Sequence, residues 1–441
     1  MNRWQINLSV WFLGKNTMNL KITNSDLEEK ILWLITVFMF SSFYIFYYYS
    51  WGKYLLAVCA AVIFVFGVLR HTGFNGKIKL EAFHFFLLLF ALFCFLSVIW
   101  GMNKSAPISR GFTIVQILIC YSLIMAYYKR FGDIDALLSC IMWAGYVVAI
   151  YTIFSYGGIR SIAVLMSLSK RLDSQYANVN SIGMICAVAC IIQYYRIIYK
   201  KKFASVLFAI PAIVIVAATQ SRKSIILLVI GILGLTMLRN YDKKKFVISV
   251  VKMIAAIAVA AVLLQLVLSL EMFSGVSRRM QGLLSFFTGE GDVDSSTKTR
   301  QRFIQLGIEQ FFKTPFLGIG IGSTGEMLAQ QIGHRTYLHN NFVELLASGG
   351  IVGFCVYYSI YVYLAYNLWK LREFSKGESD ICLIILGIML VMDYGLVSYY
   401  QKAQYFYFMV CFIQVGILKR KKAEMIYEAQ KNLEGGNSVS S

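Results

Sequence analysis

The stretch EAFHFFLLLFALFCFLSVIWG, residues 81–101, decides the class of fold. Apart from Glu81 and His84 it contains almost only apolar and small residues. An α-helix needs about 20 mainly apolar residues to cross the hydrocarbon of a bilayer. The stretch therefore predicts a membrane-spanning helix.

Similar apolar runs recur along the whole chain, which has 441 residues, of which 58% are hydrophobic and 15% charged. Such a chain has too little polar surface to cover a soluble globule. We predict an all-α polytopic membrane protein with about twelve transmembrane helices. The apolar runs lie near residues 31–50, 54–69, 81–101, 111–128, 135–156, 181–199, 203–219, 223–238, 246–269, 342–369, 380–399 and 403–418.

The basic residues predict the orientation, because cytoplasmic loops carry an excess of Lys and Arg. Clusters such as Lys200–Lys202 and Lys419–Lys422 follow the even-numbered runs, whereas Lys53 stands alone after the first run and Lys402 after the eleventh. Both termini are therefore predicted in the cytoplasm. We attribute the net charge of +20 to this topology pattern, because the Lys and Arg residues do not form the single basic stripe that is typical of nucleic-acid-binding proteins.

The prediction divides the chain into five segments, of which the long loop faces away from the cytoplasm and contains short helices. The N-terminal segment lacks the pattern of a cleavable signal, and the polar tail is expected to be disordered. The segments are a cytoplasmic N-terminal segment 1–30, transmembrane helices one to nine at 31–269, an extracytoplasmic loop at 270–341, helices ten to twelve at 342–418, and a cytoplasmic tail at 419–441.

The loop contains an amphipathic stretch up to Lys313, followed by Thr-Pro-Phe-Leu-Gly-Ile-Gly-Ile-Gly-Ser at residues 314–323. Gly318, Gly320 and Gly322 permit a close approach of the backbone, and such a run can bind phosphate through its amides. The Lys-Ser/Thr ending of a P-loop is missing. A structural turn is therefore the favoured interpretation, and a nucleotide site is not.

His339 and Asn340 stand directly before helix ten, which carries Glu344. A histidine there is often only an interfacial polar residue, but a neutral imidazole near arginines also suits a general base. A zinc site built on His334 and His339 would lack a third spaced ligand. The sequence predicts no metal site and no cofactor.

Arg222 lies in a very short connection between helices seven and eight, within Gln220–Ser224. An arginine at this depth costs free energy unless it snorkels to the interface or meets an anion. Asn178 and Asn180 open helix six, where they either cap the helix or bind sugar hydroxyls.

Taken together, these motifs resemble the O-antigen ligase and polysaccharide polymerase (Wzy) superfamily, in the family's own order. Val179 stands where the family commonly has proline, and Ser348 where an acidic residue is frequent. The matching motifs are Asn178-Val-Asn180, then Ser221-Arg222, then Arg300 with Pro315, Gly318 and Gly320, and finally His339-Asn340 with Gly350 and Gly353.

The resemblance implies an enzyme without a metal, which moves glycans from polyprenyl-diphosphate carriers outside the cytoplasmic membrane. By resemblance, Arg222 and Arg300 would bind the diphosphate, and His339 would take the proton from the acceptor hydroxyl. Further candidate substrate contacts are Arg302, Arg335, Asn178, Asn180, Asn340, Glu344 and Arg110.

We therefore expect a polymerase of undecaprenyl-diphosphate-linked repeat units for a capsule, O-antigen or exopolysaccharide, in the bacterial cytoplasmic (inner) membrane. The transfer would invert the anomeric centre. A ligase that hands the glycan to lipid A core, protein or a wall polymer is one alternative, and a transporter or flippase is another. Membrane lipid, a chain-length regulator and a flippase of the same pathway are the expected partners; nucleic acid is not.

Overall fold

A computed structural model describes most of the chain, and every regular element in the described residues is a helix. The described residues are 24–70, 80–168, 170–173, 177–241 and 295–437, with isolated positions 248, 251, 255, 258, 265 and 269.

The helices are numbered here in chain order. They are α1 (Asn24–Ile45), α2 (Gly52–Val62, continued by a π-helix at Ile63–Leu69), α3 (Ala82–Leu96), α4 (Ser105–Tyr128), α5 (Asp135–Ser155), α6 (Ile159–Ser167), α7 (Val179–Lys200), α8 (Ala209–Ala218), α9 (Arg222–Asn240), α10 (Ser295–Lys313), α11 (Thr324–Ile332), α12 (Asn341–Lys370), α13 (Lys376–Asp393) and α14 (Lys402–Asn437).

By length and composition, five of these helices can cross a membrane: α4, α5, α7, α9 and α12. Three shorter apolar helices accompany them, at Tyr54–Leu69, Ala82–Leu96 and Val206–Ala218. The molecule is a multi-pass membrane protein. The total of about twelve spans stays a prediction, and the ninth apolar run lies outside the described residues except for isolated positions.

Successive long helices run antiparallel, so their connections collect at two ends of the bundle. We call one the basic end; among its described residues are Arg70, Lys129, Lys200 and Arg372. We call the other the site end. Its described residues are 46–51, 97–104, 168, 170–173, 177–178, 219–221, 314–340 and 394–401.

Helix α12 is interrupted at Gly350, whose φ of 61° and ψ of −168° are not helical. The loop before α11 replaces the missing helical hydrogen bonds. Ile319 N–H donates to the Ala347 carbonyl (3.1 Å), and Ile351 N–H donates to the Pro315 carbonyl (2.8 Å). Irregular backbone in a membrane protein needs such internal partners, because lipid supplies none.

The glycine run is a structural turn, as the sequence favoured. A Cβ on Gly318 would lie 2.4 Å from the Ser348 carbonyl carbon, so only glycine permits this approach to the break in α12. The opposite side of the run packs on the connection between α3 and α4, where Met102 N–H donates to the Ile319 carbonyl (2.8 Å). The amides of residues 318, 319 and 321 already donate within the protein, which argues against phosphate binding there.

The structure corrects one prediction, the disorder of the polar tail. Helix α14 continues from Lys402 to Asn437, well beyond the apolar run. The first part of the tail, residues 419–434, is rich in Lys, Arg, Glu and Ala, which are good helix formers. Their intrinsic propensity, added to a helix already nucleated in the bundle, explains the extension. The amphipathic stretch before Lys313 is helical as predicted and forms α10.

Candidate active site

His339 lies at the site end in the segment between α11 and α12, and it is half-buried. Its φ is 55°, which is uncommon for a residue other than glycine and marks a constrained position. Two aromatic rings hold the imidazole. The Tyr337 ring centroid is 3.9 Å away, and Phe303 of α10 stacks nearly parallel at 6.2 Å.

Burial and two cations lower the pKa of His339 to about 4. Desolvation is the largest cause, and the charges of Arg300 and Lys223 act in the same direction. The imidazole is therefore neutral at neutral pH, which leaves one ring nitrogen able to accept a proton.

The residues on either side of His339 are fixed by hydrogen bonds. Asn340 caps α12, its Oδ1 accepting from Val343 N–H at 3.1 Å. Glu344 is buried, and its carboxylate accepts from Leu338 N–H (3.2 Å) and from the Thr324 hydroxyl. Asn340 and Glu344 thus support the backbone that carries His339.

Helix α10 brings Arg300 to this site. Arg300 is half-buried and lies within electrostatic range of both His339 and Tyr337. Within the described part of the chain, no carboxylate lies within ion-pair distance of its guanidinium. Arg302, two residues further along α10, is exposed.

The start of α9 supplies a second cation, Lys223, which the sequence analysis missed. Ser221 caps α9, and its hydroxyl accepts from Ser224 N–H at 3.4 Å. The Lys223 ammonium donates to the Gly395 carbonyl in the connection between α13 and α14. Arg222 stands beside it and is half-buried. The position of Lys223 next to Arg222 in a very short connection is the sequence signal that could have identified it.

Arg171 is a further cation that the sequence did not single out. Its Nε donates to the Thr219 carbonyl (2.8 Å), its Nη2 donates to Asn180 Oδ1 (2.6 Å), and its charge acts on Lys223. Asn178 caps α7, accepting from Asn180 N–H at 2.9 Å. Asn178 is therefore a helix cap, and Asn180 orients an arginine.

Arg110 of α4 approaches the site from the other side. Its guanidinium carbon lies 3.6 Å from the centroid of the Tyr400 ring, and it interacts electrostatically with Glu344. A cation on an aromatic face remains charged without a carboxylate partner. Arg110 thus adds positive charge at the site end.

One predicted contact, Arg335, is not part of this cluster, because it is exposed and forms an ion pair with Glu326 at 2.5 Å. His334, which the sequence named only for a disfavoured zinc site, is also exposed. Among the described residues, no group of three or more His, Cys, Asp and Glu has the arrangement of a metal site.

A buried polar network supports the connection between α13 and α14. The Asp393 carboxylate accepts from the hydroxyls of Tyr358 (3.0 Å), Tyr361 (3.1 Å) and Ser398. Asn341, adjacent to the histidine segment, accepts from Ser398 N–H at 2.9 Å. This network fixes the backbone that bears Gly395 and Tyr400, the partners of Lys223 and Arg110.

Residues 206–358 match the model of a family described as O-antigen ligase. The match confirms the resemblance seen in the sequence, and it includes Ser221-Arg222, Arg300, the glycine run and His339-Asn340. Asn178-Val-Asn180 and Arg110 lie before it.

Comparison with curated proteins finds no match. The O-antigen ligase domain supports an enzyme of the membrane ligase and polymerase type, which acts on lipid-linked glycans. It does not separate the two activities.

Proposed function

We propose that the chain is a polymerase of undecaprenyl-diphosphate-linked oligosaccharide repeat units, which inverts the anomeric centre during transfer. The observation that carries this proposal is the neutral His339 close to cations held by neutral groups, Lys223 by the Gly395 carbonyl and Arg110 by the Tyr400 ring. The family domain over the same residues supports the reaction class.

The reaction needs a base for the acceptor hydroxyl. It also needs positive charge, in place of a general acid, to stabilise the leaving diphosphate. His339 takes the proton of the acceptor hydroxyl, and the hydroxyl oxygen attacks the anomeric carbon of the donor glycan. The bond from that carbon to the diphosphate oxygen breaks, and the diphosphate leaves with the electron pair. Arg300, Lys223 and Arg222 stabilise the negative charge that grows on it. A single displacement of this kind inverts the configuration.

The electrostatics couple the two substrates. Arg300 and Lys223 keep His339 a weak base while the site is empty, because their charges disfavour an imidazolium. A bound diphosphate offsets both charges and raises the pKa of His339. His339 therefore becomes an effective base only when the donor is bound. Proton abstraction in the absence of the lipid-linked donor is thereby avoided.

The site end faces away from the cytoplasm in this proposal, in the bacterial inner membrane, with both termini inside. The lipid-linked substrate, delivered by a flippase, would meet the enzyme there. A chain-length regulator of the same pathway would also meet it there. A ligase that transfers the finished glycan to a foreign acceptor uses the same base and the same cations, and it is the second candidate because the matched family carries that description.

The test uses the purified full-length protein with lipid-linked repeat units as the sole substrate. Growth of a glycan ladder on a gel supports the polymerase. A product that forms only after lipid A core or another foreign acceptor is added supports the ligase and contradicts the polymerase. Transfer to neither contradicts both.

A further inference from the structure

A cavity of about 430 Å³ opens beside the candidate active site, between the connection α1–α2 and the start of α14. Its size lies in the range of roughly 300–1,000 Å³ that is usual for small-ligand sites. Tyr47, Tyr48 and Tyr49 form one wall, and Tyr400 and Gln401 form another. We call it the tyrosine cavity.

The tyrosine cavity shares walls with the His339 site. Tyr400 lines the cavity and also lies under the guanidinium of Arg110. Tyr47 and Tyr48 lie within electrostatic range of Tyr337, whose ring contacts the imidazole of His339. A ligand that fills the cavity therefore extends towards the base.

The lining combines aromatic faces at the mouth with polar groups at depth. Tyr47 is 56% exposed at the opening, whereas Gln404 and Tyr407 are buried in the wall formed by α14, and Ser42 is buried in the wall formed by α1. An interfacial aromatic belt explains tyrosines that face lipid, but it does not explain a cavity that reaches the surroundings of Arg110 through Tyr400.

We propose that the tyrosine cavity binds the sugar end of the acceptor glycan and presents its hydroxyl to His339. This rests on the proposed function, because it assigns the acceptor side of that reaction. Sugar rings offer both apolar C–H faces for the tyrosine rings and hydroxyls that can bond the phenol groups of Tyr47 and Tyr48, whereas an isoprenoid chain offers apolar contact alone. Ser42 and Gln404 already donate within the protein, to the Met39 carbonyl and the Tyr361 hydroxyl, so they serve as wall.

The cavity wall is held in place before any ligand arrives. Trp51 packs against Phe46 at 4.7 Å between ring centroids and against Tyr49 at 5.6 Å. These contacts fix the connection between α1 and α2. A preformed wall reduces the entropy that binding would otherwise cost.

The experiment measures binding without turnover, on the purified full-length protein in detergent. The glycan probe is the repeat-unit oligosaccharide released from its carrier by mild acid, and the second probe is undecaprenyl diphosphate without sugar. Tyr47→Ala and Tyr48→Ala should weaken glycan binding by about fivefold to tenfold, because each removes an aromatic contact. Binding of undecaprenyl diphosphate should not change.

The matched control is Tyr54→Ala, since Tyr54 is 58% exposed in α2 and lies outside the cavity lining. Tyr48→Phe keeps the ring, so it should bind more glycan than Tyr48→Ala. Unchanged glycan binding in both alanine variants overturns the proposal. Weaker binding of undecaprenyl diphosphate with unchanged glycan binding also overturns it and assigns the cavity to the isoprenoid chain.

The outcome is separable from the proposed function. Glycan that binds through Tyr47 and Tyr48 in a protein that transfers nothing contradicts the polymerase and ligase assignments and leaves the cavity as a glycan site. Normal transfer by variants that bind glycan like the wild type contradicts the cavity alone.

Discussion

The two ends of the helical bundle hold their most buried cations in different ways. At the basic end, several Lys and Arg side chains meet carboxylates: Arg130 with Glu29 at 3.0 Å, and Arg372 with the fully buried Asp380. At the site end, Lys223 meets a backbone carbonyl and Arg110 an aromatic face.

The difference separates topology from function. Neutral acceptors orient a cation without cancelling its charge, so the site end keeps a positive potential for an anion. A carboxylate offsets the charge of the cation it binds, although the basic end also holds cations on neutral partners, such as Lys376 on the Arg239 carbonyl and Lys419 on the Tyr363 hydroxyl. Basic residues are more numerous at the basic end, where they follow the topology pattern. The site-end cations are fewer, and their charge remains available to bind an anion.

His339→Gln should reduce transfer more than any other substitution, because it removes the proposed base, which lies among the site-end cations. We expect transfer to fall about 10²- to 10⁴-fold, the usual contribution of a general base. The measurement is the initial rate of glycan ladder formation with purified protein. His334→Gln is the matched control, since His334 is exposed in the same loop. Full activity of the His339 variant would remove it from the mechanism.

Asp380→Ala tests the basic end. Asp380 accepts from Arg372 Nη2 at 2.9 Å and from the Tyr199 hydroxyl at 2.5 Å. Its removal leaves a buried guanidinium without its carboxylate, which costs about 3–5 kcal/mol of stability. We expect a lower thermal unfolding temperature in detergent, with nearly normal transfer per folded molecule. Lost transfer at an unchanged unfolding temperature would contradict the division of roles between the ends.

The sequence predicted the helical class and the loop helix α10, because apolar length and amphipathic pattern are local properties. The roles of His339, Arg222 and Arg300, which rest on motif order, stay predictions. The sequence did not single out Arg171, Lys223 or the tyrosine cavity as parts of the site. Arg171 acts through Thr219 and Asn180, and Lys223 through Gly395, so both depend on contacts between segments distant in the chain. The segment 270–294, including the start of the predicted extracytoplasmic loop, lies outside the described residues.

Lys223→Met should sharpen the electrostatic side of the comparison. The pKa of His339 is about 4 and is lowered partly by Lys223, so loss of that charge should raise it. The transition to the protonated, inactive imidazole then moves to higher pH, and transfer should fall about tenfold through loss of one charge-assisted phosphate contact. Acylation of the His339 peptide by diethyl pyrocarbonate, followed against pH by mass spectrometry, reports the midpoint.

The control for this change is Lys202→Met at the basic end, where Lys202 lies 3.5 Å from Asp135. It removes the same charge but lies in a connection at the opposite end of the bundle. Its midpoint should equal that of the wild type. Identical midpoints in all three proteins would show that Lys223 does not act on His339.

Glu326→Gln should have the smallest effect, although it concerns a carboxylate paired with a cation at the site end itself. The Arg335 side chain is 70% exposed, so water already screens its charge, and an exposed pair contributes about 0–1 kcal/mol. Arg335 without Glu326 should therefore change transfer by less than about twofold at physiological salt. The same rate assay at low and high salt decides the point. A large, salt-dependent gain would mean that Glu326 restrains an arginine that belongs to the diphosphate site. Exposed cations such as Arg335, and not only the cations held by neutral groups, would then contribute to transfer.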